Sequence, residues 1–536
     1  MSDTTEGSTT MTQLSSPEVQ ELEIRVEEAT RATAAGEKRF VEPAEGTLRR
    51  AISKRHHIVF GRRGSGKSSL LRKAAVDLAV DRRPTAYVDM ETFKGHAYPD
   101  VLLSVLIESF ERFKEWLETV AVHPSNKTSW WRKLFGRGPT RKPVDRAGAN
   151  ALAQRLDLQI KELKALLHGA DDAATEMTRT RSQESGQSGT VGLELKGKGL
   201  KLSGSEADSE KTIAEEQTKV AFRQSKTDFL HRHILEYRLL FRELAALVDG
   251  DSYLFLDDLY YIRRADQASV LDYFHRIAKG NGLWLKAGTI RHRTRWYTHG
   301  DPSIGLKIGD DADEIDLDLT LEKFSITRGF LIDILKNFIS EAPSLAVDAL
   351  LTDGAIDRLV LASGGVARDF LNIFRRSIRV ARERSGRGQQ ADRIGVEDIN
   401  NAAGEYESVK REELRSDAPE DQEALEEEFR NVGDFCKKHG RSNVFLLKQD
   451  DTSLRAKRVQ ELVDLRLIHK IRQRVTVSHR KREIFEGYML DVSQYTASRK
   501  IRDFEIMEFW RPENTDKLRR ESLIYGDDEP RAATPE

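Results

Sequence analysis

Cysteine is almost absent from this chain: its 536 residues include one, Cys436. A single thiol excludes internal disulfides and zinc sites built from several cysteines, and it is typical of a reducing compartment. No stretch approaches the roughly 20 consecutive apolar residues of a membrane-spanning helix. The first residues are polar and acidic, unlike a signal peptide. We therefore expect a soluble, cytoplasmic protein.

The net charge is only −1, because the chain has 87 basic and 88 acidic residues. The chain as a whole therefore does not indicate a polyanionic partner, and charge has to be examined locally. The length exceeds that of one ordinary domain and predicts roughly three or four. Hydrophobic residues make up 38% of the chain, which is enough to build their cores.

The most informative motif in the chain is a glycine-rich one. It matches the pattern G-x-x-x-x-G-K-[ST] and lies between an apolar strand at 58–60 and a helix that begins near 69. Such a loop points its backbone N–H groups at phosphate oxygens, with the helix N-terminus behind them. Lys67 would reach the β- and γ-phosphates, and Ser68 would bind Mg²⁺. The predicted nucleotide-binding residues are Gly61, Arg62, Arg63, Gly64, Ser65, Gly66, Lys67, Ser68 and Ser69.

Short apolar runs alternate with helical patterns up to about residue 322. Strands are predicted at 58–60, 84–90, 253–256, 282–290 and 314–319. This alternation predicts an α/β fold, a P-loop parallel sheet with helices on both faces. Residues 123–225 interrupt the pattern and are interpreted as an insertion. It contains a basic, aromatic stretch (Trp130, Trp131, Lys133 and Phe135) and a glycine-rich hairpin pattern at 191–202.

Beyond residue 322 the pattern becomes helical and then mixed. Apolar spacing predicts an α-helical lid with helices near 326–340, 354–362, 366–383 and 396–408, followed by an acidic linker at 412–427. The expected domains are a flexible segment (1–35), in which 17–33 could form a helix, a P-loop ATPase domain (36–322), the lid (323–411), a C-terminal winged-helix-like domain (421–495) and a charged tail (496–536).

Two acids follow the third predicted strand. The apolar residues 253–256 lead directly into Asp257 and Asp258. Parallel strands deliver such residues to the edge of the sheet where the P-loop lies. Asp257 would bind Mg²⁺, through water, and Asp258 would orient or deprotonate the attacking water. A solvated turn after a strand is the alternative.

Together these motifs resemble AAA+ ATPases, most closely the origin-recognition-complex type, and also the related STAND NTPases of prokaryotes. The likeness covers about 39–410 apart from the insertion, and it implies ATP and Mg²⁺ as cofactors. The lid sequence 363–371 is similar to the sensor-2 motif, which implies that Arg368 reaches the γ-phosphate. Thr289 occupies the position of sensor 1. A lid-surface arginine is the alternative for Arg368.

Three features depart from that family pattern. Asp258 stands where many members have glutamate, and Thr289 replaces a frequent asparagine. No arginine finger is obvious, although Arg291, Arg293 and Arg295 follow the sensor-1 strand, in the region from which a finger would act on a neighbouring subunit. A solvated or nucleic-acid-facing loop explains these arginines equally well.

The sequence indicates the residues that would bind the adenine base less clearly. Phe40, Val41 and Pro43 precede the P-loop and could pack on the base, although ordinary core packing explains them as well. The preference for ATP over GTP rests on the resemblance and on the lack of an Asn-Lys-x-Asp guanine motif.

Residues 424–492 resemble a winged helix, with helices at 424–439 and 453–465 and strands at 468–477 and 483–492 that could pair as the wing. Such a module binds duplex DNA in origin-recognition-type ATPases. Residues 455–482 contain ten basic side chains against two acidic ones. Such a surplus suits phosphate contacts, although charged faces are often only solvated and many winged helices bind proteins. The candidate DNA contacts are Arg455, Lys457, Arg458, Lys470, Arg472, Arg474, Arg480, Lys481 and Arg482.

Two functions fit these observations. The first is an ATP-driven switch that couples nucleotide state to DNA binding or assembly. The second is a STAND-like signalling or antiviral-defence scaffold whose C-terminal module holds a protein partner. Self-assembly is compatible with both.

Overall fold

The computed structural model describes residues 13–29, 39–122, 144–186, 205–248, 250–342, 345–386, 392–417, 421–478, 480, 482–496 and 503–526. The basic aromatic stretch around Trp130, the hairpin pattern at 191–202 and Lys481 lie outside these residues. Within the described part of the chain, no helix is both long enough and apolar enough to cross a membrane.

The main elements alternate as the sequence predicts. The helices are α1 (Pro17–Ala29), α2 (Thr47–Ala51), α3 (Lys67–Val80), α4 (Asp100–Val122), α5 (Arg146–Gly186), α6 (Ser205–Leu247), α7 (Gln267–Ala278), α8 (Phe324–Ile339), α9 (Val347–Leu350), α10 (Asp353–Ser363), α11 (Ala367–Gly386), α12 (Val396–Asp417), α13 (Gln422–Phe435) and α14 (Leu454–Asp464). The strands are β1 (His57–Phe60), β2 (Thr85–Asp89), β3 (Ser252–Asp257), β4 (Leu283–Thr289), β5 (Tyr297–Thr298), β6 (Ile304–Gly305), β7 (Asp313–Asp316), β8 (Val444–Lys448), β9 (Ile468–Val475) and β10 (Phe485–Leu490).

Five strands form the predicted parallel sheet, in the order β2-β3-β4-β1-β7. Its inner strands are apolar runs, and Ile58, Leu254 and Ala287 are fully buried. Such runs are typical of strands covered on both faces. The order places β4 between β1 and β3, so that the loop after β1 and the acids after β3 meet at one edge. The predicted α/β fold is confirmed.

The second half of the chain forms one continuous core. The lid helices share buried residues with a three-stranded antiparallel sheet, β8-β10-β9, and with α13 and α14. The predicted strands near 468–477 and 483–492 pair as β9 and β10. Strand β8 was not predicted, although Val444–Leu447 is an apolar run of the required length.

The N-terminal segment, expected to be flexible over 1–35, contains an ordered helix. Leu14, Val19, Leu22 and Val26 are fully buried in the lid core. Their spacing places the last three on one face of α1. Ion pairs of 2.6 Å join Glu23 to Arg382 and Glu27 to Arg375 on α11. A flexible segment is therefore wrong for residues 13–29, whereas the helix that could form at 17–33 is present as α1.

Two further expectations of loose structure are wrong. The acidic linker expected at 412–427 is mostly helical, because α12 continues to Asp417 and α13 begins at Gln422. The charged tail expected from 496 packs onto the molecule between 503 and 526. Its buried residues include Met507, Phe509, Leu518 and Leu523. In each case a few apolar residues at suitable spacing anchor a charged segment.

The insertion contributes two long helices. Helices α5 and α6 have 41 and 43 residues, about twice the lengths that the sequence predicts. Their inner ends pack on α4 and on each other, with Lys164 and Glu111 2.6 Å apart and Gln159 bonded to Glu236 at 3.0 Å.

Leu22→Ala tests whether α1 stabilises the lid. We expect the free energy of unfolding to fall by about 2–4 kcal/mol, because a fully buried leucine leaves a cavity. Ile24→Ala is the matched control on the same helix, where the residue is 52% exposed, and it should cost less than about 0.5 kcal/mol. Chemical denaturation measures both, and equal effects would contradict the packing of α1.

Candidate nucleotide-binding cleft

The loop after β1 has the geometry of a phosphate cradle. Helix α3 begins at Lys67, directly after Gly66, whose φ of 98° lies in the left-handed region that glycine tolerates. The Lys67 ammonium donates to the carbonyls of Gly61 at 2.8 Å and Arg62 at 3.1 Å. The lysine is thus held across the loop, at the N-terminus of a helix, where the helix dipole favours anions.

A cavity of about 760 Å³ opens over this loop. Three parts of the chain form its walls: the P-loop with the edge of the sheet, the lid, and the segment before α2. Its lining includes Arg63, Gly64, Ser65, Gly66, Lys67, Ser68, Ser69, Arg72, Asp257, Asp258, Tyr260, Arg368, Tyr406 and Glu413. The predicted loop, acids and lid arginine therefore face one space.

One end of the cavity is apolar. Phe40, Val41 and Pro43 line it from the segment before the P-loop. Phe330, Ile334 and Phe338 of α8 line it from the lid. Phe40 also packs at the margin of the core beneath the sheet, so core packing applies to this residue, and its contact with the base stays a prediction. The lid residues were missed by the sequence analysis, because a motif does not reveal which face of a distant helix closes the cleft.

Arg368 brings an uncompensated charge into the cavity. In the described part of the chain, its guanidinium makes no hydrogen bond and no ion pair. Burial lowers its pKa, and the positive charges of Arg466 and Arg63 add to that effect. A buried cation without a partner is costly. An anion in the cavity would supply the missing partner.

The two acids after β3 have different surroundings. Asp257 accepts the N–H of Asp258 on Oδ1 at 3.0 Å and the Tyr87 hydroxyl on Oδ2. Asp258 has a left-handed backbone, with φ of 56°. Burial raises the pKa of Asp258 to about 7, the neighbouring Asp257 contributes, and Lys67 opposes the shift. Asp258 is thus poised to gain or lose a proton near neutral pH.

The residues fit a magnesium ion. Ser68 and Asp257 line the same cavity and offer a hydroxyl and a carboxylate, the oxygen ligands that Mg²⁺ prefers. The described residues contain no cluster of three or more His, Cys, Asp or Glu that would hold a metal without other ligands. This is expected for an ion that is bound mainly by phosphates and water.

Arg62 lies behind the loop rather than in the cavity. Its side chain is 4% exposed and bonds to Asp318 at 3.1 Å. It also donates to the carbonyls of Leu319 at 3.3 Å and Gly364 at 3.1 Å. Among the predicted nucleotide-binding residues, Arg62 and Gly61 are not part of the cavity lining. Arg62 instead joins the P-loop to the lid.

Thr289 and the three candidate finger arginines also lie away from the cavity lining. Thr289 is fully buried, and its hydroxyl is hydrogen-bonded to that of Thr294. Arg291 pairs within its own chain with Glu314 at 3.1 Å and lies 4.0 Å from the centre of the Phe60 ring. Arg293 lies beside the Tyr260 ring, and Arg295 is exposed. The roles predicted for these residues stay predictions.

The candidate DNA contacts differ greatly in their surroundings. Lys470 is paired with Glu486, Arg480 with Glu521, and Arg455 lies over the Tyr525 ring. Arg458 and Arg472 are half-buried, whereas Lys457, Arg474 and Arg482 are exposed. Arg466, one of the ten basic residues counted in the sequence, is 1% exposed and pairs with Asp369 and Glu413. The exposed basic surface is therefore smaller than the sequence predicts.

The lid meets the P-loop backbone to backbone. The N–H of Arg368 donates to the carbonyl of Gly64 at 3.2 Å. Gly64 has φ of 84°, and a Cβ there would lie 2.6 Å from Cβ of Arg368. Only glycine allows this approach, which holds Arg368 over the phosphate cradle.

Comparison with solved structures finds chains of partial similarity. One similar solved structure is the Orc1 protein of Aeropyrum pernix in complex with DNA, 14% identical, with a TM-score of 0.33; the alignment covers 85% of this chain and 93% of that one. A RuvB mutant of Thermotoga maritima is 13% identical, with a TM-score of 0.20 over 34% of this chain and 56% of that one. Values this low carry no argument about activity or partners. No protein-family model and no curated protein matches the chain.

The raised pKa of Asp258 predicts a pH dependence for nucleotide hydrolysis in this cleft. A protonated carboxyl cannot accept a proton from water, so kcat/KM, which reports the free enzyme, should rise as the pH passes upward through about 7. Steady-state hydrolysis of ATP between pH 5.5 and 8.5 measures this rise.

Asp258→Asn supplies the control. This variant should bind nucleotide with unchanged affinity and lose turnover by at least about 100-fold, the usual contribution of a general base. Turnover that is independent of pH, or retained in Asp258→Asn, would exclude Asp258 as the base.

Proposed function

We propose that the protein is an ATP-binding and ATP-hydrolysing molecular switch that couples its nucleotide state to DNA binding or assembly. The observation that carries this proposal is the Arg368 guanidinium, which has no hydrogen-bond or ion-pair partner among the described residues and lines one cavity with Lys67, Asp257 and Asp258. A nucleoside triphosphate supplies the negative charge that pairs with this guanidinium. The working parts are an ATPase domain up to residue 322, a lid (323–411) and a winged-helix-like module (421–495).

Each group in the cleft has a role in hydrolysis. Lys67 binds the β- and γ-phosphates, and Arg368 contacts the γ-phosphate from the lid. Ser68 and Asp257 hold Mg²⁺, which neutralises charge on the phosphates when it is bound. Asp258 orients the attacking water and accepts its proton. The apolar end of the cavity, from Phe40 to Phe338, receives adenine.

Ion pairs of one buried arginine join the cleft to the C-terminal module. Glu413 lines the cavity and pairs with Arg466, which precedes β9. Arg466 also pairs with Asp369, the neighbour of Arg368. One partner, Asp369, is buried in the lid next to Arg368, and the other, Glu413, lies on α12 at the wall of the cavity. A change in the position of Arg368 therefore acts on the module through Asp369 and Arg466.

The module offers a small basic surface for phosphates. Lys457 lies on α14, Arg474 near the end of β9, and Arg482 in the loop before β10. All three are exposed, and none has a carboxylate within salt-bridge distance among the described residues. Contacts of this kind bind the DNA backbone without reading sequence.

Duplex DNA binding tests the coupling. With Mg²⁺ and a non-hydrolysable ATP analogue, the protein should bind duplex DNA more tightly than without nucleotide. Three phosphate contacts predict a slope of about −3 in a plot of log affinity against log salt concentration. Lys67→Ala should abolish ATP binding and the nucleotide dependence together.

Charge reversal at Lys457, Arg474 and Arg482 should remove most of the affinity, as measured by fluorescence anisotropy. Lys161→Glu, which alters an exposed lysine of α5, is the control and should leave DNA affinity unchanged. ATP hydrolysis that survives Lys67→Ala would refute the assignment of the cleft.

Glu413→Gln tests the route from the cleft to the module. The substitution keeps the shape of the side chain and weakens its pairing with Arg466. We expect ATP binding within about twofold of the wild type, and at least a threefold smaller effect of the ATP analogue on DNA affinity, a change of about 0.7 kcal/mol.

Glu412→Gln is the matched control, because its carboxylate is 73% exposed on the same helix. Equal behaviour of the two variants would exclude Glu413 from the coupling.

A protein-binding scaffold is the second candidate. It is favoured by the neutralisation of Lys470 and Arg480 and by the burial of Arg466, which leave few free cations on the module. Leu454 at the start of α14 is 63% exposed and would suit an apolar partner. DNA affinity that is weak and independent of nucleotide, combined with ATP-dependent assembly in size measurements, would support this candidate.

A further inference from the structure

We propose that Tyr87 is a positioning residue for the metal-binding carboxylate, and that Arg72 holds Tyr87 in place. The inference rests on the proposed ATPase function and assigns a role to two residues outside the recognised motifs. Tyr87 touches neither nucleotide nor metal in this proposal. It acts through Asp257.

Strand register brings Tyr87 to Asp257. Strands β2 and β3 are parallel, with Tyr87 opposite Phe255 and Asp89 opposite Asp257. Side chains two residues apart on a strand share a face, so Tyr87 lies one step behind Asp257 on the same side of the sheet. Its ring lies nearly parallel to that of Phe255, at 6.2 Å and 22°. The hydroxyl thereby reaches Oδ2 of Asp257.

The Asp257 carboxylate is fixed from two other sides. Its Oδ1 accepts the N–H of Asp258 at 3.0 Å. Strand β4 passes close by at Gly288, where a Cβ would lie 2.8 Å from Oδ1. The Asp257 carboxylate is thus held in one orientation by a small residue on β4, by a backbone donor on Oδ1 and by the Tyr87 hydroxyl on Oδ2. Hydrogen-bond partners of this kind orient the ligands of metal ions in proteins.

Arg72 connects this arrangement to the P-loop helix. It follows Ser68 by one turn of α3, so both side chains lie on the same helix face. Its guanidinium carbon lies 4.6 Å from the centre of the Tyr87 ring. The contact joins the helix that carries Ser68 to the strand pair that carries Asp257. The two protein ligands expected for Mg²⁺ are thereby held at a fixed separation.

The phenol is a permanent donor in this setting. Burial raises the pKa of Tyr87, and the negative charge of Asp257 raises it further. The hydroxyl therefore keeps its proton at all physiological pH values, and Asp257 receives a hydrogen bond instead of facing a second anion. Removal of this donor frees one oxygen of Asp257 and allows the carboxylate to rotate.

Tyr87→Phe tests the proposal by its effect on metal-dependent nucleotide affinity. The dissociation constant of a fluorescent ATP analogue is measured with excess Mg²⁺ and with EDTA. We expect the tightening caused by Mg²⁺ to fall by about tenfold in the variant, the lower end of the range for partners of metal ligands. Affinity in EDTA should stay within about twofold, which also shows that the variant is folded. Arg72→Gln should shift the Mg²⁺ effect in the same direction.

Tyr525→Phe is the matched control. Its hydroxyl donates to Glu428 at 2.7 Å, so it loses the same kind of bond in the C-terminal module. Its Mg²⁺ effect should equal that of the wild type. A wild-type-like Mg²⁺ effect in both Tyr87→Phe and Arg72→Gln would overturn the role of Tyr87 alone. A wild-type protein whose affinity does not respond to Mg²⁺ would overturn the proposed function instead.

Discussion

The structure depends on close contacts at Gly364 and Gly365, in the turn between α10 and α11, with the backbone at Leu319 and the side chain of His469. A Cβ at Gly364 would lie 2.0 Å from the His469 ring of β9, and one at Gly365 would lie 2.5 Å from the carbonyl of Leu319. The Arg62 guanidinium bonds to the carbonyls on both sides of this contact. Because packed backbones have discrete arrangements and do not deform continuously, the P-loop, the lid and the C-terminal sheet are constrained together at this point.

The lid and the C-terminal module behave as one body in this arrangement. They share a single apolar core. Two buried ion pairs also join them, Lys410 with Asp491 at 2.6 Å and Arg466 with Asp369. Separation of such pairs would leave buried charges unpaired, at a cost of about 3–5 kcal/mol each. The sheet, in contrast, has its own cores. In the proposed function, a nucleotide in the cleft acts at the boundary between these two bodies.

The sequence predicted the P-loop, the sheet and Asp257-Asp258 because each depends on local signals: a motif, an apolar run and its neighbours. It allowed a helix at 17–33 but did not predict that this segment and 503–526 pack on the rest of the molecule, because their apolar residues are few and their partners lie far away in the chain. Surface charge was overestimated for a related reason. Composition counts Arg466 and Lys470 as free cations, whereas only the fold reveals their carboxylate partners. Tyr87 was missed because its role depends on strand register.

In the proposed function, the electrostatics of the cleft link nucleotide binding to the lid. Among the described residues the Arg368 guanidinium has no hydrogen-bond or ion-pair partner, and Asp258 is a carboxyl whose ionised form is disfavoured by burial. Phosphate oxygens would pair with Arg368, and Mg²⁺ would favour the ionised form of Asp258. Because the first gain would require Arg368 to lie over the P-loop, binding energy would favour this position of the lid. The lid shares its core with the C-terminal module, so we expect the module to follow the lid.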